Sequence, residues 1–201
     1  MDFNHIIGTP SLPQGFWRIR LESLLLSSGL VMAGDPFSLP AAALEAKIPP
    51  GQYLVELIYK DCLEWGYRVA LALLRLNDEP ITCWQSLDNG QGFDSIFVDS
   101  GLACFADFET GQAFSALIEQ WRESTPPKNY YDLVLKKEIR KKVLPGDRIN
   151  SFGLHYPFDN KENIAIFECG MGDGAYKTYC GVDQMGNPST ILIDFDIMDW
   201  V

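Results

Sequence analysis

The residues in this chain with chemistry to offer are chiefly carboxylates, each standing beside a turn or a glycine. Asp35, Asp99, Asp107 and Asp173, if the fold draws them together, make a set of oxygen ligands or an acid/base pair. Four converging carboxylates suit Mg²⁺ or Ca²⁺ better than Zn²⁺, because hard cations take oxygen donors. Each aspartate also has a plainer role. Asp107 precedes a helical pattern and reads as its N-cap, while Asp99, just before Ser100-Gly101, reads as a turn residue. In Gly170-Met171-Gly172-Asp173-Gly174-Ala175-Tyr176, glycines at alternate positions predict positive φ or a close backbone approach. Asp173 then either accepts nearby amides and fixes the turn, the reading favoured here, or is presented with Gly172, Gly174 and Tyr176 as a binding loop. No Lys-Ser/Thr pair follows the last glycine, so this is not a phosphate loop.

Cys104 as nucleophile with His155 as base is a second candidate constellation. Cys104 lies between Ala103 and Phe105 and reads better as a small buried hydrophobe. His155, in Leu154-His155-Tyr156-Pro157, reads as a packing or capping residue. No GxSxG elbow marks a serine nucleophile. Five cysteines without a CxxC pair, and only two histidines, argue against a disulfide framework or a structural zinc site.

The elements that must position these residues follow from periodicity. Tyr53, Val55, Leu57 and Tyr59 fall on one face of a strand. Residues 67–76 and 81–84, joined by the turn Asn77-Asp78-Glu79-Pro80, read as a hairpin. Further strands are predicted around 96–98, 163–168, 177–182 and 190–195, with a hairpin turn at 183–188. The short piece 41–45 reads as a helical turn or two. Between the strand regions, Phe114, Leu117, Ile118 and Trp121 recur at i, i+3, i+4 and i+7. A second helix starts at Asn129 as cap and carries Leu135, Ile139 and Val143 on its buried line. The fold class is therefore α+β, a mostly antiparallel sheet or sandwich over residues 1–201 as one domain, with a two-helix insertion at about 108–144.

Four segments, taken in order, carry a resemblance. They are Ser28-Gly29-Leu30-Val31 through Asp35-Pro36-Phe37, then Pro50-Gly51-Gln52-Tyr53-Leu54-Val55, then Val98-Asp99-Ser100-Gly101-Leu102-Ala103-Cys104-Phe105-Ala106-Asp107. The fourth is the glycine segment 170–176, followed by Gly181-Val182-Asp183 and Leu192-Ile193-Asp194-Phe195. Their order and content resemble the bacterial domain-of-unknown-function family 4241 over roughly residues 28–198. The third and fourth segments are the most specific, and Met171 stands where that family usually has an aromatic residue. The resemblance implies no activity.

Charge narrows the functional classes. Sixteen Lys and Arg against 27 Asp and Glu give a net charge of -11, with 47% apolar residues. Such a surface repels nucleic acid and anionic membranes. The positive charge concentrates in 128–148, at net +4, which leaves -15 elsewhere. No basic-then-apolar leader opens the sequence and no apolar run approaches the ~20 residues of a membrane helix, so a cytoplasmic protein is expected. An acidic body without a complete catalytic set fits a noncatalytic binding protein, most concretely an immunity protein that occludes a basic bacterial toxin. The alternatives are a metal-assisted hydrolase using the four aspartates, and a small-ligand or carbohydrate-binding β module using aromatics near the glycine loops.

Overall fold

A computed structural model describes residues 3–9, 11–39, 42–124, 129–141, 144–145, 149–158 and 161–198. Strands pair antiparallel in two sheets that face one another. The first sheet runs β1 (Phe16–Leu26), β3 (Gly51–Asp61), β4 (Tyr67–Arg75), β12 (Pro188–Asp194) and β11 (Gly174–Val182). Along the outer edge of β11 lie β5 (Cys83–Ser86) and β6 (Ser95–Val98), each pairing with half of it. The second sheet runs β2 (Val31–Gly34), β7 (Leu102–Asp107), β10 (Ile164–Glu168), β9 (Asn150–His155) and β8 (Arg140–Lys141).

The core between the sheets takes one face of each. Val55, Leu57 and Tyr59 point into it, as the period of two requires. From the other side come Phe105, Ala165 and Phe167, with ring contacts Phe105–Phe167 at 5.6 Å and Phe167–Phe195 at 6.3 Å. The continuous apolar run of β4 is explained by burial on both faces: Leu74 faces this core while Leu71 and Leu73 face outward into a second one. That outer cluster is closed by Phe3, Ile6 and Ile7, of which the last two belong to the short α1 (Asn4–Ile7).

The expected hairpin between 67–76 and 81–84 does not form. Both segments contain strands, but the two edges of β4 are taken by β3 and β12, so β5 crosses to pair with β11. Residues 42–45 are not helical, and position 41 lies outside the described residues. The hairpin at 183–188 is present: Asp183 Oδ1 accepts the amides of Met185 at 2.7 Å and Asn187 at 2.9 Å, fixing the turn between β11 and β12.

The helical insertion covers the far face of the second sheet. In α2 (Phe108–Ser124), Phe114 and Ile118 are buried, with Leu117 and Trp121 packed beside them. The second helix begins as read, with Asn129 Oδ1 accepting the Asp132 amide at 2.8 Å. A π-helical stretch (Tyr131–Leu135) runs into α3 (Lys136–Ile139), burying Leu135 and Ile139. The helix ends earlier than its apolar line suggested, because Arg140 turns to extended backbone and pairs with Ser151 of β9; Val143 lies outside the described residues. No helix among the described residues is long and apolar enough to cross a membrane.

Phe3 is 1% exposed and packs edge-on to Trp84 at 5.3 Å. Phe3→Ala is expected to cost about 3 kcal/mol or more, the usual range for emptying a buried phenylalanine site. Urea unfolding measures it.

Candidate functional site

The structure gathers the first, third and fourth of the resembling segments into two nodes, at opposite ends of the β2–β7 pair. At the first node, Asp107 is fully buried. Its Oδ2 accepts the Ser28 amide at 2.8 Å and the Ser28 hydroxyl at 2.7 Å, while Oδ1 accepts the Glu109 amide at 3.1 Å. Asp107 therefore caps α2 and ties it to the turn before β2. Gly29 takes φ +74 in this turn and its carbonyl accepts the Ile48 amide at 3.2 Å; a Cβ there would strike the Ile48 carbonyl.

At the second node, Asp35 is 1% exposed. Its Oδ2 accepts the amides of Asp99 at 2.9 Å and Ser100 at 2.6 Å, and its Oδ1 accepts that of Phe37 at 2.8 Å. The buried carboxylate is thus satisfied by three backbone donors and holds the turn after β6. The glycine loop joins it, because the Cys169 amide donates to Gly101 O at 3.2 Å and Gly174 pairs with Val98 across the β11–β6 ladder.

Within the loop, Gly172 carries the geometry. It takes φ +117, its amide donates to Cys169 O at 3.0 Å, and its carbonyl accepts Cys169 Sγ at 3.0 Å and the Tyr176 hydroxyl at 2.7 Å. Burial first, then the nearby charges of Asp35 and Asp173, push the Cys169 thiol up to about 12. Burial likewise pushes Tyr176 up to about 12. Both groups stay protonated at neutral pH, which makes them donors to Gly172. Gly170, at φ +27, lies so close to Phe195 that a Cβ would come within 2.9 Å of it. Gly174 is extended in β11, against the Tyr176 ring. Asp173 itself is exposed, and its carboxylate makes no hydrogen bond among the described residues. The turn is held by Cys169 and Tyr176, where the sequence pointed to Asp173.

The four aspartates do not meet. Asp35 and Asp99 share one node with Asp173, whereas Asp107 lies about 13 Å away along the strands, four residues at ~3.3 Å each. Among the described residues no group of three or more His, Cys, Asp or Glu is placed to hold a metal ion. Cys104 and His155 also stay apart: across β7, β10 and β9 they stand two strands and two residues from each other, on the order of 12 Å. Burial pushes the Cys104 thiol up, further from the reactive thiolate.

His155 has other partners, which the sequence did not single out. Its Nε2 lies 2.8 Å from the Tyr130 hydroxyl and its Nδ1 lies 2.7 Å from Glu138 Oε2. Since a carboxylate only accepts, Nδ1 carries the proton and Nε2 accepts from Tyr130. Burial pushes the imidazole below its ordinary pKa, against the opposing pull of Glu138; burial and the Glu138 charge push Tyr130 up to about 12. Tyr130 and Glu138 both come from the second helical segment, so this chain of hydrogen bonds fastens that segment to β9.

The matching family model spans residues 24–193, a range that includes both nodes. The chain belongs to the family DUF4241, proteins of unknown function. No curated protein and no solved structure matches it. Of the four candidate aspartates in this DUF4241 chain, Asp35 and Asp107 are buried and accept backbone amides, and Asp99 and Asp173 reach solvent.

Asp107→Ala strips three hydrogen bonds from buried or capping donors and is expected to cost about 2–4 kcal/mol. Asp173→Ala should stay within about 0.5 kcal/mol, as an exposed substitution; parallel denaturant titrations compare the two. His155 adds a pH dependence. With its folded pKa below the unfolded value of 6.5, its contribution to stability is complete above that pH and is lost as pH falls through the folded pKa. His155→Leu should remove that acid-side loss while lowering stability at neutral pH by about 1–3 kcal/mol, since the Tyr130 hydroxyl loses its acceptor.

Proposed function

We propose that this protein is a noncatalytic binding protein that docks a basic protein partner, in its most concrete form a cytoplasmic immunity protein that neutralises a bacterial toxin by occluding it. The observation that carries the reading is the surface beside the second node. Phe93 and Phe97 are each 54% exposed and stack edge-on at 5.8 Å. Phe97 stands opposite Ala175 on β11, and Asp99 and Asp173 flank the end of the same ladder. Asp94 is exposed beside them. Exposed aromatics ringed by carboxylates on an edge strand supply apolar anchors and the charge that a basic partner complements. Of these residues, Asp99 and Asp173 fall in the two most specific segments of the family resemblance, and Phe93, Asp94 and Phe97 lie just before the first of those two.

Acidic charge outside 128–148 acts at longer range, by steering a basic partner into contact. Within 128–148, Lys136 lies 3.5 Å from Asp132, an exposed i,i+4 pair that contributes little stability. The roles of Asp35 and Asp107 as backbone acceptors leave the hydrolase alternative without its ligand set.

The test is titration of the protein with the product of the adjacent gene, alongside co-expression. A one-to-one complex that abolishes toxicity is the expected outcome, with added salt chiefly slowing association. Phe97→Ala should weaken the complex at least tenfold, about 1.4 kcal/mol, with an unchanged melting temperature. No complex and no protection would overturn the proposal.

A further inference from the structure

On the outer face of the first sheet, at the edge opposite β6, α1 and the loop after β4 wall off a cleft of about 800 Å³. That volume lies within the ~300–1,000 Å³ of small-ligand sites. Its floor is unlike the rest of this acidic protein. Arg18 and Arg20 on β1, Glu56 on β3 and Arg75 on β4 all line it. Glu56 is 2% exposed and bridges two guanidinium groups, with Arg20 Nε and Arg75 Nε each 2.8 Å from its oxygens. Burial pushes the Glu56 carboxyl up, but hydrogen bonds from Arg20 and Arg75, with the charges of Arg75 and Arg18, outweigh this and hold it below its ordinary value. Glu56 is therefore charged at neutral pH and balances one of three guanidinium groups.

Two positive charges remain in excess on the cleft floor, and their donors are unequally used. Arg75 also donates to Ile7 O at 3.1 Å and Thr190 Oγ1 at 3.4 Å. Arg18 Nη2 donates to Ile7 O at 3.4 Å and Thr9 O at 3.3 Å, while its Nε is buried without a hydrogen-bond partner. Arg20 lines the cleft, uses only Nε in these contacts, and its side chain is 63% exposed. Around these charges the walls are apolar at Leu54 and Ile81, and acidic at exposed Asp78 and Glu79 on the rim.

We infer that this cleft binds a small organic phosphate, with the phosphate on the Arg20 fork beside Arg18 and the organic part against Leu54 and Ile81. A phosphate monoester carries roughly -1.5 to -2 charge at pH 7, which complements the guanidinium groups of the floor. The planar guanidinium fork presents paired donors to phosphate oxygens. The cleft is larger than a bare ion needs, and its apolar walls give an organic body surface to cover. This site is separate from the Phe93–Phe97 surface, being at the other edge of the sheet.

The experiment is calorimetric titration of the full chain with glycerol 3-phosphate, inorganic phosphate and succinate, each at matched ionic strength. Saturable binding of glycerol 3-phosphate is expected, with inorganic phosphate weaker and succinate weakest. Arg20→Gln, with folding checked by circular dichroism, should lower the affinity at least tenfold. Glu79→Gln, an exposed rim change, should raise it severalfold, and Phe97→Ala should leave it unchanged. The inference is overturned if neither phosphate binds saturably, or if succinate binds as tightly as glycerol 3-phosphate. It is equally overturned if folded Arg20→Gln binds like wild type, and, should that variant not fold, if Glu79→Gln leaves the affinity unchanged.

Discussion

Strands that are apolar on both faces impose the main constraint on this molecule. β4 and β7 present buried side chains to both sides, so pressing two sheets together solves only half the problem and each sheet needs an outer cover. The helices of the insertion cover the second sheet through Phe114, Ile118, Leu135 and Ile139. The segment from Phe3 to Ile7 covers the first through a much smaller area. Being small, that cover leaves two places open: a cleft floored by arginines at the β1 side, and the aromatic surface on β6 at the other. Both surfaces proposed above lie where the outer cover of the first sheet stops.

Buried polar groups fix the register of these layers. Asp107 and Asp35 are acceptors for backbone donors at the two ends of β7, and His155 links the helical segment to β9 through Tyr130 and Glu138. Asn163 does similar work at the edge of the first sheet, accepting the Leu25 amide at 2.9 Å and donating to Ser23 O at 3.0 Å beside the irregularity in β1. Each such group costs more when one partner is lost than the bond contributes when made. That asymmetry makes them specifiers of geometry, and it explains why residues that look catalytic in the sequence are committed to structure.

The charge is distributed in a way the net value conceals. Carboxylates dominate the exposed surface near β6, while the cleft gathers three guanidinium groups around one buried glutamate. In the proposals above, the acidic exterior meets a large basic surface and the arginine-floored recess a small anion, two sites that would not compete.

By itself the sequence determined the elements whose signal is local. The strand at Tyr53–Tyr59, the helical stripe through Phe114 and Ile118, the Asn129 cap and the glycine turn were legible because period, capping and positive φ depend on near neighbours. The α+β class followed from their order, and the family from the four segments. Tertiary structure alone decided which strand lies beside which. The end of β4 pointed to a hairpin with β5, and only the occupation of both β4 edges sends β5 to β11. The same holds for the sites. Arg18 and Arg20 share a face by their spacing of two, but nothing local says that Glu56 and Arg75 stand beside them; that takes the β1–β3–β4 order. Asp107 parts from Asp35 because antiparallel pairing puts them at opposite ends of β7, a separation set by register, which depends on contacts between residues far apart in the chain.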